Sequence, residues 1–239
     1  MLGLGNGLTG GIASAWTPAD IGSLLHWYRK GIGQGSDTGD ANRNCSVWSD
    51  QKGTNRLTST GDDDNLSPTL NTDGTITFDS ASDIMQFESE ISLGTFSVYV
   101  KISYSDAING DYLFEKFGSS QDYLQLATEA LVKVRINNNG RHDYLIDPVL
   151  PEDGTPFNIG FERVEGAGRN VYVYSGVGGD GESQALTGGK DGIEVITELL
   201  EIGSIGKPVQ TSTWHEIVIC NDALSIADRK LLFTYLDSI

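Results

Sequence analysis

The chain has 239 residues, with 30 Gly against 6 Pro, 21% charged residues and a formal net charge of −17. One all-β domain of this length buries a substantial core. No apolar run approaches the roughly 18 residues of a transmembrane helix, and the acidic field repels nucleic acid. The charge therefore reads as a solubilising coat that discourages edge-to-edge pairing of sheets; if it binds anything, divalent cations are the natural partners.

Residues 1 to 15 alternate Gly with Leu and other small residues and lack a basic segment. They make a poor signal peptide and a poor helix. A flexible arm is expected, with Leu2, Leu4 and Leu8 as anchors for docking on a partner. A frayed terminus is the competing reading.

From Trp16 a turn or short helical segment leads to a first strand, Leu24 to Tyr28. Residues 31 to 44 are rich in Gly, Asp and Asn and read as loop. Ser46-Val47-Trp48 is a short strand. Strands follow at Thr75–Phe78, Asp83–Phe87, Phe96–Ile102, Tyr112–Phe117, Tyr123–Leu126 and Leu131–Ile136, the last ending in the turn signal Asn137-Asn138-Asn139-Gly140. Phe157–Glu162 and Val171–Tyr174 form another alternating pair. A Gly-rich loop from Gly176 to Gly192 and a turn of helix around Ile193–Glu198 precede Leu200–Gly203. The closing strand is Trp214–Cys220. Ser225, with Asp228 three residues on, then caps a helix whose apolar stripe is expected at Ile226, Leu231, Leu232, Tyr235 and Leu236. Many strands, no βαβ rhythm and no repeat indicate an all-β, two-sheet antiparallel sandwich with a short C-terminal helix. It forms one domain over residues 16–239 behind the 1–15 arm.

The order of landmarks resembles the concanavalin A-like lectin/glucanase (laminin-G-like) jelly roll in the form found on tailed-phage, cyanophage-type virions. The landmarks are Trp16 with Pro18, Leu25 with Trp27-Tyr28, Val47-Trp48 with Asp50 and Gly53, Asn55-Arg56-Leu57, Asp73 to Asp79, Asp83-Ile84, Phe96 to Val100, Val171 to Tyr174, Ile202-Gly203, Trp214 with Glu216-Ile217, Leu224-Ser225 and Tyr235-Leu236. The resemblance implies a structural or decoration protein of a phage particle, made in the host cytoplasm. Such a protein docks on other virion proteins through its arm, displays a lectin-like sandwich and tends to be homo-oligomeric. The alternative is a carbohydrate-binding adhesion module that attaches to host surface glycans. Neither nucleic acid nor membrane is expected as a partner.

The glucanase branch of that fold carries Glu-x-Asp-x-x-Glu along one strand, which aims nucleophile and acid/base across a sheet face. Glu88-Ser89-Glu90 supplies only two carboxylates, and Glu162 and Glu165 fall at other spacing, so no catalytic residues are assigned. Asp62, Asp63 and Asp64 form an oxygen-rich loop suited to Ca²⁺, against the preferred reading of a solvated acidic turn. His26, His142 and His215 show no ligand spacing, and Gly31, Gly33 and Gly35 lack the context of a phosphate loop. Trp16, Trp27, Trp48 and Trp214 are expected mainly in the core. Tyr112, Tyr123 and Tyr144, near polar loops, are the expected exposed sugar contacts. Cys220 reads as a buried apolar residue and Cys45 as a loop residue. Free thiols are expected, and a Cys45–Cys220 pair is the alternative left open.

Overall fold

The computed structural model describes residues 16–36, 44–59, 67–80, 82–117, 121–136, 141–146, 149–163, 171–176, 199–206 and 210–239. The arm with Leu2, Leu4 and Leu8, the Asp62-Asp63-Asp64 loop, the Asn137–Gly140 turn and the segment 177–198 lie outside them. A single 3-10 turn, Pro18–Asp20, comes first, with Asp20 accepting the Thr17 amide at 2.8 Å.

In chain order the strands are β1 (Leu24–Arg29), β2 (Gln34–Ser36), β3 (Cys45–Trp48), β4 (Leu57–Ser59), β5 (Thr69–Leu70) and β6 (Ile76–Phe78). Next come β7 (Ile84–Leu93), β8 (Phe96–Tyr104), β9 (Asp111–Glu115), β10 (Tyr123–Thr128) and β11 (Leu131–Arg135). The last are β12 (Arg141–Leu145), β13 (Phe157–Arg163), β14 (Val171–Gly176), β15 (Leu200–Gly206) and β16 (Ser212–Cys220), followed by helix α1 (Ile226–Asp237). Every pairing among the described strands is antiparallel.

One sheet runs β14-β13-β8-β16-β6-β5, with β1 also on β16; the other runs β12-β11-β10-β9-β15-β7-β4-β3-β2. The chain passes between the sheets repeatedly, so their inner faces share one core. From the first sheet come Phe78, Val98, Val100, Ile102, Ile159, Phe161, Trp214, Ile217 and Ile219; from the second come Trp48, Leu57, Met85, Phe114, Leu124, Val132 and Ile205. This is the all-β, two-sheet antiparallel sandwich with a short C-terminal helix that the strand pattern predicts.

β8 and β13 are buried along their whole length because the first sheet is covered on both faces. Its outer face carries α1, whose Leu232, Phe233 and Leu236 pack on Trp27, Tyr99, Tyr174 and Val218. Ser225 caps the helix, its hydroxyl accepting the Asp228 amide at 3.1 Å, as expected. The stripe differs from expectation: Ile226 and Leu231 are 69% and 42% exposed, and Phe233 is buried instead. The reason is Arg229, which heads the buried 229-232-233-236 face and donates to buried Glu162 at 3.1 and 2.5 Å. A charge inside the stripe hides its period.

Candidate functional site

The docked helix rests on a polar row. Asn158, Lys101, Glu216 and Arg29 stand opposite one another across β13, β8, β16 and β1. Asn158 donates to Asp237 at 2.6 Å, and Lys101 donates to the main-chain oxygens of Leu236 and Ile239 at 2.6 and 2.7 Å. Glu216 accepts Trp27 Nε1 at 2.5 Å and the Tyr235 hydroxyl at 2.7 Å. Burial raises the Glu216 pKa, and those two hydrogen bonds oppose the rise. Glu162 stands on the same face, opposite Ser97, four positions along β8 from the Lys101 partner of Glu216. Two strand spacings and four residues put their Cα atoms about 16 Å apart. These carboxylates serve to hold the helix.

The open site is built by a break in register. Ile202 of β15 faces Ile91 of β7, and Ser204 faces Gln86, so Gly203 alone stands against residues Phe87 to Glu90. A bulge of this kind bends its strand and re-aims side chains. Phe87 keeps its place in the core while Glu88, Ser89 and Glu90 become three consecutive exposed residues. Asn55 fixes the extruded segment: its Nδ2 donates to the Ser89 carbonyl at 2.8 Å and its Oδ1 accepts the Ser89 amide at 2.9 Å. The Glu88 amide donates to the Arg56 carbonyl at 2.9 Å, and the Tyr28 hydroxyl donates to the Asn55 carbonyl.

Between this segment and β1 opens a cleft of about 440 Å³, lined by His26, Thr54, Asn55, Glu88, Ser89, Glu90 and Ile91. His26 donates through Nδ1 to Asp50 Oδ2 at 2.7 Å. Asp50 also accepts the amides of Trp27 and Lys52 at 3.0 and 2.9 Å. Burial works against ionisation of Asp50, but these donors outweigh it and hold its carboxyl below the usual range. An ionised partner on Nδ1 places the ring proton there, so Nε2 is the atom the imidazole offers to the cleft. Arg56 donates to Glu88 Oε1 through Nε at 2.9 Å and through Nη2, and it holds Glu88 below the usual carboxylate range. The cleft thus presents an oriented imidazole, two carboxylates and two hydroxyls, an arrangement suited to hydrogen-bonding a polyhydroxylated ligand. No hydrogen bond joins the imidazole to Ser89 or Thr54 among the described contacts.

The tyrosines expected at the surface are placed otherwise. Tyr144 is 3% exposed within the inter-sheet core, where burial pushes its hydroxyl up to about 12. Tyr123 is 7% exposed and Tyr112 half-buried; their rings meet edge to face at 5.3 Å. Their polar flanks predict exposure, yet Tyr123 and Tyr144 turn inward on their strands and only Tyr112 keeps part of its surface open. Trp27, Trp48 and Trp214 are buried as expected. Cys45 opens β3 fully buried rather than lying in a loop, and both cysteines are free thiols. Among the described residues no group of three or more His, Cys, Asp or Glu is arranged to hold a metal ion. As a catalytic motif Glu88-Ser89-Glu90 is incomplete, and nothing in its spacing points to His26. The available signal was three polar residues interrupting the alternation of a long strand.

The sequence matches no family model and no curated protein. Solved structures share the fold. Trypanosoma rangeli sialidase superposes with a TM-score of 0.55 at 14% identity over 91% of this chain and 33% of its own. The binding domain of botulinum neurotoxin DC in complex with SialylT gives 0.57 at 12% identity over 92% and 52%. The botulinum neurotoxin type G receptor-binding domain gives 0.55 at 9% identity over 87% and 50%. The chain therefore spans about a third to a half of each of these structures. Its class is that of the large antiparallel β-sandwiches they contain.

Proposed function

We propose that this chain is a non-enzymatic, lectin-like module of a phage virion that binds carbohydrate on the host surface through the His26–Glu90 cleft. The observation that carries the reading is the cleft itself: a bulge in β7 sets Glu88, Ser89 and Glu90 beside an imidazole oriented by Asp50. Sugar hydroxyls are met by such convergent acceptors and donors. The sandwich shared with a neurotoxin binding domain in complex with SialylT, and with a sialidase, supports a glycan ligand. The virion setting is supported by the ordered landmarks from Trp16 to Leu236, with the arm residues Leu2, Leu4 and Leu8 docking the module on other virion proteins.

The non-enzymatic reading is supported by the two deeply buried glutamates under α1. Both are tied to other side chains, and in the cleft Arg56 holds Glu88 below the usual carboxylate range, the opposite of the raised pKa of a glycosidase's general acid. A glycan array probed with the wild-type chain and with His26→Ala and Glu90→Gln tests the reading. Binding by the wild type that both variants weaken supports it; an array with no bound glycan overturns it. Removing residues 1 to 14 should abolish incorporation into particles while leaving a folded domain, and normal incorporation would refute the arm's role.

A further inference from the structure

The chemistry left over in the cleft narrows the ligand, an inference that rests on the glycan-binding reading above. Two cationic side chains beside it are already engaged: Arg56 with Glu88 and Lys116 with Glu201. The Asn55 amide is consumed at both ends by the Ser89 backbone. Beyond these contacts the cavity is lined by Glu88, whose Oε2 takes no described hydrogen bond, by Glu90, which attracts Lys116, and by His26, with Ser89 and Thr54 beside them. The first three accept hydrogen bonds when ionised or neutral, respectively. Among the described residues no Phe, Tyr or Trp lines the cleft, so recognition there rests on hydrogen bonds.

We infer that the cleft selects saccharides that present hydrogen-bond donors, vicinal hydroxyls above all and an ammonium group best, and rejects acidic sugars. A carboxylate pair accepts from adjacent hydroxyls in the plane of its lone pairs, while a sugar carboxylate meets Glu88 and Glu90 as like charges beside a guanidinium already paired with Glu88. The formal net charge of −17 adds long-range repulsion of the same sign. The ligand class is thereby opposite in charge to the sialylated compound named with one of the structural neighbours.

The test uses the full chain on an array of matched glycans in three sets: neutral hexosides, the same sugars bearing a free amine, and their uronate or sialylated counterparts. Neutral glycans are expected to bind, amine-bearing ones about fivefold more tightly at low salt, the scale of one exposed ion pair. That preference should shrink in about 0.5 M salt. Glu90→Gln should erase the amine preference, and because Glu90 is exposed its melting temperature serves as the control for folding. Acidic glycans bound and then lost with Glu90→Gln or His26→Ala would overturn this ligand class while leaving the glycan-binding module standing. Glycans bound equally by wild type and both cleft variants would overturn the assignment to the cleft. An array with no ligand would overturn the reading on which the inference rests.

Discussion

Arg229→Met isolates the charge that docks α1. Arg229 and Glu162 are 13% and 3% exposed at their side chains. The guanidinium makes two hydrogen bonds to Glu162, at 3.1 and 2.5 Å, one to the Leu224 carbonyl at 3.1 Å, and stands 4.0 Å over the Tyr174 ring. Methionine keeps the helix propensity and most of the volume, so the change falls on the charge. It leaves Glu162 buried with the hydroxyls of Tyr99, at 2.5 Å, and Tyr174 as its hydrogen-bond partners. Stranding one member of a buried pair costs about 3–5 kcal/mol. Burial of Leu232, Phe233 and Leu236, at about 1.5–3 kcal/mol each, keeps the helix docked, so the loss reads out as lowered global stability. Urea unfolding followed by tryptophan fluorescence should show it. The double variant Arg229→Met/Glu162→Gln should recover most of the loss, with a coupling energy of at least about 2 kcal/mol. A single variant costing under about 1 kcal/mol, or a double equal to the sum of the singles, refutes the account.

Gly160→Ala should destabilise by at least about 1–3 kcal/mol, since a Cβ there would lie 2.0 Å from the Tyr99 ring; unchanged unfolding in urea would contradict this. Cys45 and Cys220, whose thiols burial pushes up to about 12, should resist a thiol reagent in the native protein and react in full in urea, whereas rapid native labelling would refute their burial. Burial, aided by Lys30 and Lys101, depresses His215 to about 4, so the unfolded chain takes a proton between pH about 6.5 and 4 that the native chain declines. The resulting contribution, about 3 kcal/mol, is complete above pH 6.5 and lost as pH falls. Asp83, raised to about 6 by burial, works in the other direction and removes about 3 kcal/mol as pH rises from 4 to 6. These two contributions should therefore nearly cancel in the wild type across this window. His215→Gln should give a curve that falls with rising pH and Asp83→Asn one that climbs; parallel curves for all three chains would refute both assignments.

The strands legible in the sequence are those with an alternating or continuous apolar signal, such as Phe96–Tyr104 and Trp214–Cys220. The two-residue β5 and three-residue β4 carry no period to detect, and β2 is built on Gln34, Gly35 and Ser36, which read as loop. In α1 the half-buried Arg229 stands within the apolar stripe and hides its period. The site was less visible still. Glu88, Ser89 and Glu90 meet His26 through the slip between Ile202–Ile91 and Ser204–Gln86, and a register is a property of two strands far apart in sequence. Local composition likewise misplaced Tyr144, since polar flanks say nothing of which sheet face a strand turns inward.

The closing strand has a further consequence. β16 sits at the centre of its sheet, held by β8 on one side and by β1 and β6 on the other, and its Glu216 meets Trp27 across 189 positions. A ribosome must therefore emit nearly all of the described polypeptide before the middle of that sheet can close. Until then β8 and β1 offer unsatisfied edges to any neighbouring nascent copy. Assembly is expected to be slow, governed by long-range closure, and production yield should depend on holding those edges apart during synthesis.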